Sequence, residues 1–123
     1  IRIYGWGNNS IKNKHQAQIV TVISGSIFDV VVDIRKESPT FGQWFGAELS
    51  DKGIRQIYMP HGFAHGFCVL STCADLHYKV SQHYDPADDC GLIWNDDYVK
   101  IDWPLKDPII SLKDQSHKKW QEL

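Results

Sequence analysis

An all-β sandwich or barrel is the fold class this sequence predicts, and three observations carry it. Short apolar and β-branched runs recur about every 8–12 residues. Gly, Pro, Asp and Ser close each run. Helical periodicity is weak until the tail, where Lys113 to Leu123 reads as one short turn or helix.

The elements follow in order. Ala17 to Ile23 is a strand that stops at Ser24-Gly25-Ser26. Ile27 to Ile34 is the next, and Gly25 in a tight turn joins the two as a hairpin. Alternation puts Phe28, Val30, Val32 and Ile34 on one face, opposite Asp29, Val31 and Asp33. Ser38-Pro39-Thr40 interrupts the pattern before Gln43 to Leu49, and Asp51-Lys52-Gly53 turns the chain again. Ile54 to Met59 ends at Pro60, because proline cannot donate to a ladder. Phe63 to Leu70, Ala74 to Ser81 and Gly91 to Trp94 complete the set, with loops at Asp85-Pro86 and Asp96-Asp97.

A chain of 123 residues suffices for one domain, 1–123, with a real core. Hydrophobic residues at 42% and charged residues at 23% exclude bulk disorder. A net charge of -2 without a basic stripe argues against a nucleic-acid partner. No apolar run approaches the roughly 18 residues of a membrane helix. Cys68, Cys73 and Cys90 are odd in number and irregularly spaced, which fits reduced thiols in the cytoplasm. The sequence starts with Ile1 and shows no signal pattern, so an incomplete or processed N-terminus is expected.

Pro60-His61-Gly62-Phe63-Ala64-His65-Gly66-Phe67 lies between two strands. Its glycines permit a reversal that aims His65 to one side. The spacing P-x-G-x-x-H matches the second half of the cupin signature. A metal site needs three or four protein ligands, and residues 5 to 19 offer only His15, so no metal is expected. His61 reads as a surface residue and His65 as a pocket residue.

These segments carry a resemblance. Gly25 to Arg35, Ser38 to Trp44, Pro60 to Phe67, Trp94-Asn95-Asp96, Ile101-Asp102-Trp103-Pro104 and Ser111-Leu112-Lys113-Asp114 stand in the order and spacing of one family. From about residue 18 onward the chain resembles the dTDP-4-dehydrorhamnose 3,5-epimerases. The resemblance implies a cupin-like jelly-roll, a homodimer, and neither metal nor other cofactor. It implies a nucleotide-linked 4-keto-6-deoxysugar as ligand, and a place in deoxysugar biosynthesis of the dTDP-rhamnose type. The family's N-terminal strands fall ahead of Ile1.

The implied chemistry inverts carbons beside a ketone. C3 and C5 of the sugar are acidified by the C4 carbonyl. Inversion needs a base on one face, an acid on the other, and a donor or cation at the ketone oxygen. By resemblance, Tyr78 is the proton donor and Asp114 the carboxylate that orients the base. His65, Lys113, Asp89, Gln18 and Asn8 fall at substrate-binding positions.

Two of these positions depart from the family. Asn8 in an ungapped register, or Gly7 with a gap, falls where the family has its base histidine, and neither can accept a proton at neutral pH. Gln18 falls at the lysine near the developing oxyanion, where it can offer hydrogen bonds but no charge. His15 is the one histidine near them in sequence. Losing a general base costs about 10²–10⁴ in rate. On sequence alone two readings stay open: an epimerase, or a weakened sugar-nucleotide-binding relative.

Overall fold

The computed structural model describes residues 2–4, 16–83 and 89–122. Its strands are β1 (Arg2–Tyr4), β2 (Gln18–Ser24), β3 (Ser26–Asp33), β4 (Trp44–Ser50), β5 (Gln56–Met59), β6 (Phe63–Val69), β7 (Asp75–Val80) and β8 (Asp89–Gly91). A one-turn helix α1 (Leu112–Gln115) and a 3-10 turn (Trp120–Glu122) follow. The strands make two antiparallel sheets, ordered β4-β3-β6-β1-β8 and β5-β2-β7. This is the jelly-roll sandwich with a short C-terminal helical turn that the sequence predicts.

One expected pairing does not form. β2 and β3 are not a hairpin, because they belong to different sheets. Only Gly25 separates them, and a hairpin loop needs at least about two residues. Gly25 instead turns the chain from one sheet to the other, at φ 84°. A Cβ there would lie 2.3 Å from the Cys73 carbonyl oxygen. Asp51 secures the corner, its Oδ2 accepting from Gly25 N at 3.2 Å while its own N–H donates to Gly25 O.

The alternation of β3 is as read, but both faces are buried. Val30, Val32 and Ile34 pack with Ala64 of β6, Leu92 and Val99. Trp44, Trp103 and Trp120 close over them. The opposite face looks toward the three-stranded sheet. There Ile27 packs with Val22 of β2 and Leu49 of β4, against Ile57 and Leu76. Each buried Val, Leu or Ile contributes about 1.5–3 kcal/mol. Asp29, expected opposite the apolar face, lies in that inter-sheet space and is fully buried.

Two carboxylates hold the connections. Asp33 accepts from Arg35 Nε (2.9 Å) and a guanidinium nitrogen (2.7 Å), and from the Ser38 and Thr40 hydroxyls (both 2.6 Å). The Arg35 guanidinium holds the Asp33 carboxyl far below the usual carboxylate range, against the opposing effect of burial. Asp96 accepts from the backbone N–H of Tyr98 (2.9 Å), Val99 (3.1 Å) and Trp120 (2.8 Å). It thereby ties the C-terminal turn to the 94–99 loop. The segment after β8 is thus fastened over the outer face of the larger sheet, and α1 with it.

Candidate active site

Three parts of the fold converge on one open cleft of about 1050 Å³. β6 contributes His65, Phe67 and Cys68. The β2 and β7 strands contribute Gln18, Tyr78 and Val80. The C-terminal segment contributes Trp94, Trp103, Ile110 and Asp114. The size suits a ligand at the large end of small-molecule sites.

His65 is placed by register. Val31 of β3 sits opposite His65, and Asp29 opposite Phe67, so Asp29 and His65 are diagonal neighbours on one face. His65 Nε2 lies 2.8 Å from Asp29 Oδ2. An ionised carboxylate only accepts, so Nε2–H donates and Nδ1 is left as the ring's other polar atom. Asp29 Oδ1 is buried without a hydrogen-bond partner among the described residues. Such a group is costly to bury, a cost found where structure serves a site.

Across the inter-sheet space, β2 and β7 pair Gln18 with Val80 and Val20 with Tyr78. Tyr78 and Gln18 therefore share the inward face. Tyr78 is 40% exposed at the cleft mouth, and its ring meets that of His65 edge to face at 6.3 Å. Gln18 is only 6% exposed, and its Nε2 donates to Gln16 Oε1 at 2.8 Å.

Asp114 enters the cleft from α1. Ser111 caps that helix, accepting from Asp114 N at 3.1 Å while its hydroxyl donates to Asp114 Oδ2 at 2.6 Å. His117 Nδ1 stands 3.8 Å from Asp114 Oδ1. The ring of His117 packs on Gly91, where a Cβ would come within 2.1 Å of Nδ1. Burial pushes the thiol of Cys68, on the cleft wall, up from its ordinary pKa.

Of the residues that the sequence singled out, Tyr78, His65, Gln18 and Asp114 meet in this cleft. Lys113 is exposed on α1 and does not line it. Asp89 opens β8, where its backbone pairs with Tyr4; its side chain is not among those described. Asn8 and His15 lie outside the described residues. His61 is exposed, as read. Sequence reasoning missed Asp29 and Gln16. An acid within the apolar run of β3, in a chain with a pocket histidine on the strand three further along, was the available signal for the first.

A family model described as dTDP-4-dehydrorhamnose 3,5-epimerase matches residues 9–122. The chain belongs to the dTDP-4-dehydrorhamnose 3,5-epimerase family. A relative of that name from Shigella flexneri is 46% identical over 105 residues, covering 85% of this chain and 58% of its own. The structure of the Bacillus anthracis epimerase with TDP and PPi bound superposes with TM-score 0.87 at 42% identity, covering 96% of this chain and 64% of that one. The Legionella pneumophila dTDP-6-deoxy-D-glucose-3,5-epimerase, in complex with dTDP-4-keto-L-rhamnose, gives TM-score 0.86 at 41% identity, covering 96% and 60%. The chain thus spans about three-fifths of these epimerases. Within the epimerase family fold, its cleft is walled by both sheets and the C-terminal segment.

Proposed function

We propose that this chain, as one jelly-roll unit over residues 1–123, acts in deoxysugar biosynthesis as a 3,5-epimerase of a dTDP-linked 4-keto-6-deoxysugar. The observation that carries this reading is the convergence of Tyr78, His65 with Asp29, Gln18 and Asp114 on one cleft. His15, the one histidine near Asn8 in sequence, is the base in this reading: it takes a proton from C3 or C5, the C–H electron pair moves into the C4 carbonyl, and an enolate forms. The Tyr78 hydroxyl returns a proton to the opposite face of that carbon, inverting it. Asp114 orients the group that takes the first proton. His65 and Gln18 hold the sugar, with Lys113, Asp89 and Asn8 assigned to substrate binding by the family pattern.

A homodimer and a cytoplasmic setting belong to the same reading. Phe45 on β4, and Ile54 and Tyr58 at β5, are exposed at sheet edges that a second copy would cover. Cys68 and Cys73 are free thiols. No helix among the described residues is long and apolar enough to cross a membrane. Nucleic acid is not a partner in this reading. No observation favours a silent sugar-nucleotide-binding protein over it.

The test is product analysis. The protein is incubated with dTDP-4-keto-6-deoxyglucose, and ring-proton couplings are followed by NMR. Couplings that report inversion at C3 and C5 support the reading. Unchanged couplings after prolonged incubation, with the ligand shown to bind, overturn it.

A further inference from the structure

We propose that Gln16 orients Gln18 so that the Gln18 carbonyl oxygen serves as a hydrogen-bond acceptor for a sugar hydroxyl. The inference rests on the nucleotide-sugar reading above and names a specificity element within it.

The orientation of both amides follows from donor and acceptor chemistry. Gln16 Nε2 lies 2.6 Å from the backbone carbonyl of Gln82, just past the end of β7. A carbonyl oxygen can only accept, so the NH₂ end of Gln16 must face Gln82. Gln16 Oε1 then points the other way, and it too can only accept. Gln18 approaches that oxygen at 2.8 Å, so Gln18 presents its NH₂ end to Gln16. The carbonyl oxygen of Gln18 is left on the far side of its amide. Inverting either amide would set oxygen against oxygen.

The relay is anchored on ordered backbone. Ala17 N donates to Ser81 Oγ at 3.0 Å, and Ser81 N donates to Ala17 O at 3.0 Å. These bonds close the β2 and β7 ends around the two glutamines. Both glutamines line the cleft, and Gln18 is 94% buried as a residue, being 6% exposed. No group of the described residues donates to Gln18 Oε1. An acceptor at a cleft wall is satisfied by whatever fills the cleft. Its partner must carry a hydrogen to donate. A sugar hydroxyl does, whereas a ketone oxygen or a fluorine does not. A site with this acceptor penalises a ligand that lacks the donor, because the ligand would cover the oxygen and leave it unpaired.

The expected effect is read by calorimetry with dTDP-glucose, whose free ring positions all carry hydroxyls, and its singly deoxyfluorinated analogues. Fluorine keeps the size but cannot donate. For one ring position, fluorination weakens binding by roughly 5–10-fold, the worth of one neutral hydrogen bond. In Gln18→Leu that discrimination disappears. In Gln16→Leu it falls most of the way although Gln18 is intact, because its amide can rotate. If every fluorinated analogue binds the unaltered protein within twofold of dTDP-glucose, the relay reads no hydroxyl and the proposal fails. It also fails if Gln16→Leu discriminates as the unaltered protein does. Should dTDP-glucose and dTDP both fail to bind, the nucleotide-sugar reading falls, and the relay with it. Leucine is close to glutamine in size, and near-ultraviolet circular dichroism verifies the fold of each variant. If a variant does not fold, the fluorinated series on the unaltered protein decides alone.

Discussion

His65 Nε2 lies 2.8 Å from Asp29 Oδ2, with Asp29 fully buried and His65 nearly so. The pair spans β3 and β6 in the inter-sheet space, one ring edge away from Tyr78. A carboxylate there fixes which nitrogen of His65 carries hydrogen and which way the ring faces. The imidazole is thereby pre-set before any ligand arrives, and its remaining nitrogen is the one available for contact.

Asp29→Asn tests that arrangement. The amide keeps the shape but removes the acceptor-only carboxylate. His65 loses its fixed tautomer, and turnover of the keto-sugar is expected to fall by roughly 10². Nitrogen NMR of the His65 ring reads the tautomer directly. Unchanged ring shifts with unchanged turnover would show that Asp29 merely fills space.

Asp33 makes stability depend on acid pH. Its folded pKa is depressed, chiefly by the Arg35 hydrogen bond, from the ordinary aspartate value of 3.8. Its contribution is therefore complete above pH 3.8 and is lost as pH falls below that value toward the lower folded pKa. Asp33→Ala is expected to cost about 1.5–3 kcal/mol at neutral pH, the worth of hydrogen bonds to a charged group. The gap from the unaltered protein should narrow on acidification. Urea unfolding at pH 7 and across the acid range checks both the size and the direction.

Gly91→Ala drives a methyl into the His117 ring, whose three nearest atoms stand 2.1–2.3 Å from the Cβ position. Overpacking of this kind costs about 1–3 kcal/mol. The ring is the obstacle, so Gly91→Ala with His117→Ala should be less destabilised than the sum of the single changes. A double-mutant cycle by thermal unfolding measures the difference. Strict additivity would show that the strain lies in the backbone.

Much of this fold was legible in the sequence, because strand periodicity and turn residues are local. All the strands from β2 to β7 fall where alternation and Gly, Pro or Asp turns place them. Sheet membership is not local. Gly25 looks like a hairpin turn, yet a single residue between strands moves the chain to the other sheet. Val30 and Asp29 show the same limit from another side. Alternation separates their faces, but only the closing C-terminal segment shows that both faces are covered.

The site was legible by motif more than by physics. Tyr78, His65, Gln18 and Asp114 come from four separate elements, and in the sequence only the family pattern groups them. Asp29 and Gln16 carry no motif of their own. Their roles come from a cross-strand diagonal and from a carbonyl at Gln82; an acid inside the apolar run of β3 hints at the first, and nothing in the sequence marks the second.

Solvent deuterium incorporation tests the central claim most directly. The protein is incubated with dTDP-4-keto-6-deoxyglucose in D₂O, and C3 and C5 are read by NMR or mass spectrometry. Proton exchange is required by enolisation at either carbon, even if the equilibrium hides the inversion. Deuterium at both C3 and C5 is the predicted result, with a fall of about 10²–10⁴ in rate in Tyr78→Phe. No label at either carbon, with binding of the same ligand seen by calorimetry, would contradict the account and leave a protein that holds the sugar nucleotide without reacting with it.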